Sequence, residues 1–391
     1  MKKILCSILL LALSFPLALQ AKLKNVPKIK VRIAHSKQKV LISGHQLNRY
    51  IWPKRSWKTY KKFKKIQFNC KSKTNFKRKK PIRLALVKSN KGFVSINYKK
   101  YKGTFHIQTS ERFNGCDVIN ELSLEDYLST LLPKEMNSSW PIEALKAQAV
   151  AARSYAYYKI KTNQVSKTKG FITNYHLESS EKHQVSGSYQ DATKKTIKAT
   201  HKTRGEILTL QNRKVTPIFF HSKCGGKTLT PDQVWKNKVP GYTSVDCPFC
   251  HKHGKKDWKR KWNKPKLARS LQRVLNKYNK TKLALKKHKY YIEESGQVDS
   301  HIHLLEANSP EVTVGELIKK SRLRGVLGRA ELPSNHFSLK DNGKTIEVQG
   351  SGFGHGVGMC QFGVKELALQ GFSYKKILAY YFPELKLKKL Y

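Results

Sequence analysis

Apolar and polar positions alternate in short runs between Lys22 and about Asn120: Ile29 to Ile33, Lys39 to Ile42, Ile82 to Val87, Phe93 to Tyr98 and Thr104 to Ile107. A period of two bounded by turn residues predicts strands, and so a β-rich N-terminal region over 22–97. At Leu124 the period changes. Leu124, Tyr127, Leu128, Leu131 and Leu132 fall three and four apart, the spacing of an amphipathic helix, and Pro133 is expected to end it. A second helix is predicted with Ser139 as N-cap, Pro141 in its first turn, and Ile142, Leu145, Ala149, Ala152 and Ala156 as its buried stripe. Lys134 to Asn137 would then be a short connection between two packed helices. Strand-like runs resume at Thr196 to Thr200, Gly205 to Leu210 and Val215 to Phe220. A Lys-rich helical insertion is expected at about 254–287, with Trp262, Leu267, Leu271, Val274 and Leu275 on its apolar face. A short last helix has Ser373 as its cap and Ile377, Leu378 and Tyr381 on one side. The pattern describes an α+β chain: a β-rich N-terminal region, a central helical pair, and a mixed sheet in the part from residue 98 to residue 391.

Charge changes this picture first. The chain carries 78 Lys+Arg against 25 Asp+Glu, a formal charge of +53 spread along its length, which calls for a polyanionic partner. The Lys54 to Lys80 stretch interleaves cations with Trp57, Tyr60, Phe63, Phe68 and Phe76, a mixture that can stack sugars or bases or simply form a charged surface. The N-terminus decides between polyanions. Lys2-Lys3, an apolar run from Ile4 to Leu19, and Ala18-Leu19-Gln20-Ala21 read as a signal peptide over 1–21, so that the mature chain begins near Lys22 outside the cytoplasm. No later segment approaches the ~18 apolar residues of a membrane span, so no transmembrane anchor is expected in the mature protein, which would be periplasmic, wall-associated or secreted. There the abundant polyanions are wall polymers, and no specific nucleic-acid partner is expected.

Cysteines mark one candidate site. His221-x2-Cys224 and Cys247-x2-Cys250 have the two-plus-two spacing of a tetrahedral zinc site, with His251 and His253 as substitutes. Four protein ligands would leave no open position, so the metal would be structural. Disulfides are the rival in an oxidising compartment, with Cys247 and Cys250 pairing with each other or one of them with Cys224, and Cys70, Cys116 and Cys360 left as an odd set. A glycine-rich block, Gly352 to Gly363, surrounds His355 and allows close backbone approach to a ligand. It lacks the Gly-Lys-Ser/Thr ending of a phosphate-binding loop.

Several separated blocks together resemble one family. They are Leu124-Glu125-Asp126-Tyr127-Leu128 through Pro133-Lys134-Glu135-Met136 to Trp140-Pro141, and Ala144 through Tyr155. Phe220-His221-Ser222 with Gly225-Gly226-Lys227-Thr228 follows, then Gly352-Phe353-Gly354-His355-Gly356-Val357-Gly358-Met359-Cys360-Gln361-Phe362-Gly363. With Ala368, Gly371, Tyr374, Ile377-Leu378 and Tyr380-Tyr381 they resemble the stage II sporulation protein D family (SpoIID/LytB) over roughly residues 98 to 383. The resemblance implies a peptidoglycan lytic transglycosylase that cuts the MurNAc-GlcNAc bond, preferentially on peptide-stripped strands, and leaves 1,6-anhydro-MurNAc ends. It also implies that Glu135, the Glu of the P-x-E-M block, is the catalytic acid, and that a cleft is lined by Gly354, Gly356, His355 and Gln361. His355 and Gln361 would bond sugar hydroxyls or the catalytic Glu, or His355 would be packed under a tight turn. The LytB side of the family implies an alternative, a non-catalytic wall-binding protein that stimulates a peptidoglycan amidase. Zinc is bound by some members, although Cys at these positions is not universal, and the +53 charge is not part of the family's pattern.

The chemistry asked of Glu135 stands on its own. Glycosidases that add water use two carboxyl groups. When the sugar's own C6 hydroxyl attacks, one carboxyl suffices: it protonates the leaving oxygen and then accepts the hydroxyl proton. Such an acid must rest protonated near neutral pH, which requires burial, for instance against Met136 and Trp140, and few cations nearby. Lys134 is therefore expected to point away. Glu125 and Asp126 suit the positive end of their helix. Arg153 is either their partner or a ligand for the MurNAc lactyl carboxylate.

Overall fold

A computed structural model describes the chain except residues 1–25, 52–54, 71–80, 111–114, 163–166, 169–170, 173, 181–183, 255–256, 280–289, 294–295, 297–300 and 308–312. The signal-like segment and residues 71–80 of the Lys-rich stretch lie outside the described residues. The architecture is α+β. Its main sheet runs in the spatial order Leu177–Glu178, Lys28–Ser36, Cys116–Ser123, Thr104–Thr109, Arg83–Ser89, Leu47–Ile51 and Ser56–Tyr60. A second sheet orders Lys64–Asn69, Lys39–Gly44, Val94–Ile96 and Lys99–Tyr101. Alternate residues of both sheets, among them Val40, Ile42, Val87, Phe105, Ile107 and Val118, are buried in one core, as the period of two requires. A disulfide between Cys70 and Cys116 ties the second sheet to the first and removes two residues from the expected odd set of thiols.

Strand Cys116–Ser123 feeds directly into helix α1 (Leu124–Glu135). Ser123 caps it by accepting from Asp126 N–H, and Glu125 and Asp126 occupy the positive end of its dipole. Contrary to the sequence reading, α1 does not stop at Pro133. Proline removes a donor but keeps a helical φ, and Met136 N–H closes a last turn on the Leu132 carbonyl at 2.8 Å. Glu135 is thus the final helical residue and not part of a loop. Helix α2 (Ile142–Thr162) is buried along its Ala-rich stripe against Leu132, Val364, Ile377 and Leu378.

The run Thr196 to Thr200, expected as a strand from its β-branched residues, lies in helix α3 (Lys194–Lys202). Thr193 and Thr196 form a reciprocal capping box, and the Thr200 hydroxyl donates back to the Thr196 carbonyl. Local capping and the burial of Ala199 outweigh weak β propensity. The last strand-like run is nearly all irregular: Val215 makes a single antiparallel bridge to Thr209, and Phe220–His221 pairs in parallel with Met359–Cys360. A short turn of helix, α4 (Pro231–Val234), follows.

The chain then leaves this core. Strand Asp257–Asn263 occupies the start of what the sequence suggested as helix, because Trp258 and Trp262 alternate inward with exposed Lys259 and Lys261. Helix α5 (Lys264–Val274) carries Leu267, Leu271 and Val274 inward. Residues 257–351 form a module of two three-stranded sheets, α5 and helix α6 (Lys320–Leu327), with its own core around Leu271, Ile302, Ile318, Phe337 and Val348. Helices α7 (Gln361–Leu369) and α8 (Tyr374–Tyr381, capped by Ser373) return to pack on α2. Among the described residues, no helix is long and apolar enough to cross a membrane.

Candidate active site and sulfur cluster

Where α1 ends, a cleft of about 660 Å³ opens between the core and the 257–351 module. Glu135 lies on its wall, half-buried, and accepts a hydrogen bond from Val185 N–H at 3.1 Å. Desolvation raises its pKa from the ordinary carboxyl value to about 7, against the opposing effect of the Val185 bond. The negative end of the α1 dipole acts in the same direction as burial. Lys134 also reaches the cleft, but its ammonium is paired with Asp191 at 2.5 Å. Among the described residues lining the cleft, Glu135 is the sole carboxylate.

The glycine block forms the opposite wall. Gly354 has φ +111°, and a Cβ there would approach the His221 side chain to 3.1 Å; at Gly358, φ +73°, it would meet the Phe219 carbonyl at 2.3 Å. Glycine is required at both. Gly354 lines the cleft. Gly356 is buried and braces the block through its carbonyl, which accepts from Leu229 N–H. His355 Nδ1 accepts from Val357 N–H at 3.0 Å, and burial holds the ring neutral with a pKa near 3. Its ring lies 5.3 Å from Trp235 and 5.6 Å from His221, so His355 shapes the wall that it lines. Gln361 donates from Nε2 to the Glu135 main-chain carbonyl at 3.1 Å and so holds the acid's backbone in place.

Arg153 is not a cleft residue. It is fully buried on α2, its Nε and Nη2 fork Glu125 at 2.9 and 2.8 Å, and its remaining donors reach the Thr200 and Glu206 carbonyls. Of the two roles open to it from sequence, the partner of Glu125 is the one its position allows. The cleft wall also holds residues that the sequence reading did not assign to it. They are Tyr155 at the α2 end of the Ala-rich block, the exposed aromatic faces of Trp235 and Phe353, and Arg324 and Arg329 from the module. Only topology brings these last two there; no local pattern marks them.

The cysteines converge, with one substitution. The sulfurs of Cys224, Cys247, Cys250 and Cys360 all lie within 4.8 Å of one another and are buried. Cys224 and Cys250 are 3.5 Å apart, close to the roughly 3.8 Å edge of a tetrahedron with 2.3 Å metal–sulfur bonds. Cys224 N–H and Gly363 N–H both donate to Cys360 Sγ at 3.4 Å, and Gly226 N–H donates to Cys224 Sγ. Such donors stabilise thiolate ligands. His221 is not part of the set. Its Nδ1–H donates to the Val357 carbonyl at 3.1 Å, which turns the ring toward the glycine block. The parallel pairing of Phe220–His221 with Met359–Cys360 supplies the fourth sulfur instead. This closed, four-sulfur cluster can hold a metal.

Comparison with known proteins fits this geometry. Residues 112–210, which carry α1, Glu135, α2 and α3, match the family model described as SpoIID, stage II sporulation protein. Stage II sporulation protein D of Bacillus subtilis is 31% identical over 272 residues, 68% of this chain and 74% of that protein. The chain belongs to the SpoIID family. An uncharacterized protein of Brachyspira hyodysenteriae is 32% identical over 266 residues, 68% of this chain and 66% of its own length. The "Amidase enhancer" of Bacillus subtilis is 28% identical over 336 residues, 74% of this chain but 44% of that protein. The SpoIID model ends before the sulfur cluster, the 257–351 module and the glycine block.

Proposed function

We propose that this SpoIID-family chain is an exported lytic transglycosylase that cuts MurNAc-GlcNAc bonds of peptide-stripped peptidoglycan and leaves 1,6-anhydro-MurNAc ends. The observation that carries it is Glu135: a carboxyl with a pKa of about 7 in a cleft whose other described lining residues include no second carboxylate. Glu135, protonated, gives its proton to the glycosidic oxygen as the C1–O bond breaks. Its carboxylate then takes the C6 hydroxyl proton as that oxygen closes on C1, which regenerates the acid. Trp235 and Phe353 offer sugar-stacking faces beside it. The test is mass spectrometry of the ends left on peptide-free glycan strands. Anhydro ends are expected, and reducing ends carrying water would overturn the mechanism. Glu135→Gln should retain binding and lower cleavage by at least about 10²-fold.

The similarity to an amidase enhancer supports a second reading, a non-catalytic wall-binding protein that stimulates a peptidoglycan amidase. Amidase stimulation by the chain, unchanged in Glu135→Gln and with no glycan product, would favour it. For the sulfur cluster the metal we propose is zinc, held structurally by Cys224, Cys247, Cys250 and Cys360. Four close thiols in an exported chain that also forms the Cys70–Cys116 disulfide would otherwise be prone to oxidise. Zinc supplies no step of the glycan chemistry here; it would anchor Cys360, whose neighbour Gln361 holds Glu135.

A further inference from the structure

The 257–351 module does more than pack against the core. The Arg324 guanidinium at the end of α6 donates from Nε to the Leu332 carbonyl at 2.7 Å and from Nη2 to the Pro333 carbonyl at 2.8 Å. The Pro333 carbonyl also accepts from Gly354 N–H at 2.9 Å, and Asn335 Nδ2 donates to the His355 carbonyl. Arg324 is therefore fixed by the same peptide that braces the glycine block. Arg329 follows in the next turn, exposed, and both arginines line the cleft that holds Glu135. Lys134, the other cation lining it, is engaged by Asp191.

We propose that Arg324 and Arg329 form an anion subsite that takes the lactyl carboxylate of a MurNAc residue, so that the module contributes the selection of strands whose carboxylates are free. This rests on the glycan reading of the cleft. The Nε and Nη2 bonds to the Leu332 and Pro333 carbonyls fix the plane of the Arg324 guanidinium, whose Nη1–Nη2 end is the fork that matches a carboxylate in two parallel hydrogen bonds, whereas an ammonium offers a point charge. Two guanidinium groups facing one cleft also repel each other. Arg324 is held down to about 10, first by burial and then by Arg329, and a bound anion relieves both costs. Once the carboxylate carries a peptide through an amide bond, the charge that the guanidinium groups would meet is gone. The same field reaches His355, whose neutral state both arginines favour.

The experiment measures binding by the full-length Glu135→Gln chain, at fixed salt, to two ligands: peptide-free glycan strands, and the same strands with their lactyl carboxyls converted to methylamides. The free-carboxylate strand should bind about tenfold more tightly. Arg329→Gln should erase the difference by weakening only the carboxylate strand. Lys340→Gln, which removes the same charge from a residue of the module that does not line the cleft, should leave it intact. Arg324→Lys, which keeps the charge but not the fork, should also lose the preference. Equal binding of the two strands by the Glu135→Gln chain, or a preference that survives Arg329→Gln, overturns the subsite and leaves the glycan reading standing. Failure of both strands to bind overturns both.

Discussion

At the scale of single residues, Glu135 joins function to stability with a definite sign. Its folded pKa of about 7 lies above the ordinary carboxyl value of 4.5, so the folded state binds the proton more tightly than the unfolded one. The native chain is unpenalised below pH 4.5 and loses stability as pH rises toward 7. Glu135→Gln should therefore match the parent at pH 4 and exceed it at pH 8 by on the order of 1–3 kcal/mol, read from denaturant unfolding at each pH. Cleavage by the parent should fall about tenfold per unit above pH 7. A rate that rises there would show that the carboxylate, not the acid, starts the reaction. Arg153 makes the opposite kind of prediction. Arg153→Met leaves Glu125 buried with one partner fewer and should cost roughly 3–5 kcal/mol of stability, with the KM of the folded fraction unchanged.

These residues also mark what was legible in the sequence. Glu135 is readable because its neighbours form a contiguous block and its chemistry limits the choice. The ambiguity of Arg153 arises because a buried fork and a cleft cation use the same residue type, and only the position of Glu125 across the helix pair separates them. Cys360 was unpaired in the sequence and His221 a ligand, because the Cys-x2-Cys spacing registers local geometry. The parallel pairing that delivers Cys360 joins segments 136 residues apart.

At the scale of elements, α1 and α3 were misread for related reasons. In each, a single feature, Pro133 or a cluster of threonines, was given more weight than the capping and packing around it. Carrying α1 past Pro133 to Glu135 moves this residue from a short connection between helices to a helix terminus buttressed by Gln361. The elements on which Gln361 depends meet at the sulfur cluster. Chelator treatment, or Cys360→Ser, should therefore lower the melting temperature, release about one equivalent of zinc in metal analysis, and reduce cleavage more than substrate binding. A protein purified without chelator that contains no metal would reject the assignment.

For the molecule as a whole, the two kinds of sulfur site should respond to different reagents. The Cys70–Cys116 bridge closes a loop of 46 residues within the N-terminal sheets. Its reduction by a reductant that does not bind metal should cost on the order of 4 kcal/mol there, detected as a lowering of the unfolding midpoint that comes without zinc release and adds to the one chelator causes. The +53 charge acts at this scale too. It draws polyanions toward the protein in a salt-sensitive way, yet at Glu135 burial sets the direction of the pKa shift, and Lys134 in the same cleft is paired with Asp191.

The first and last strands of the 257–351 module pair with each other, Asp257 opposite Ser351. The module therefore leaves and rejoins the core through neighbouring backbone positions, so a tight turn in its place would span the gap, at the loss of the Pro333 and Asn335 contacts that brace the glycine block. On the proposed reading, such an attachment separates strand selection from bond cleavage: the module's arginines act on the first, and Glu135 in the core on the second. In that view Arg324 and Arg329 are a reading head, and exchanging both for neutral residues should leave the bond that is cut unchanged while strands with covered carboxylates become as good a substrate as bare ones.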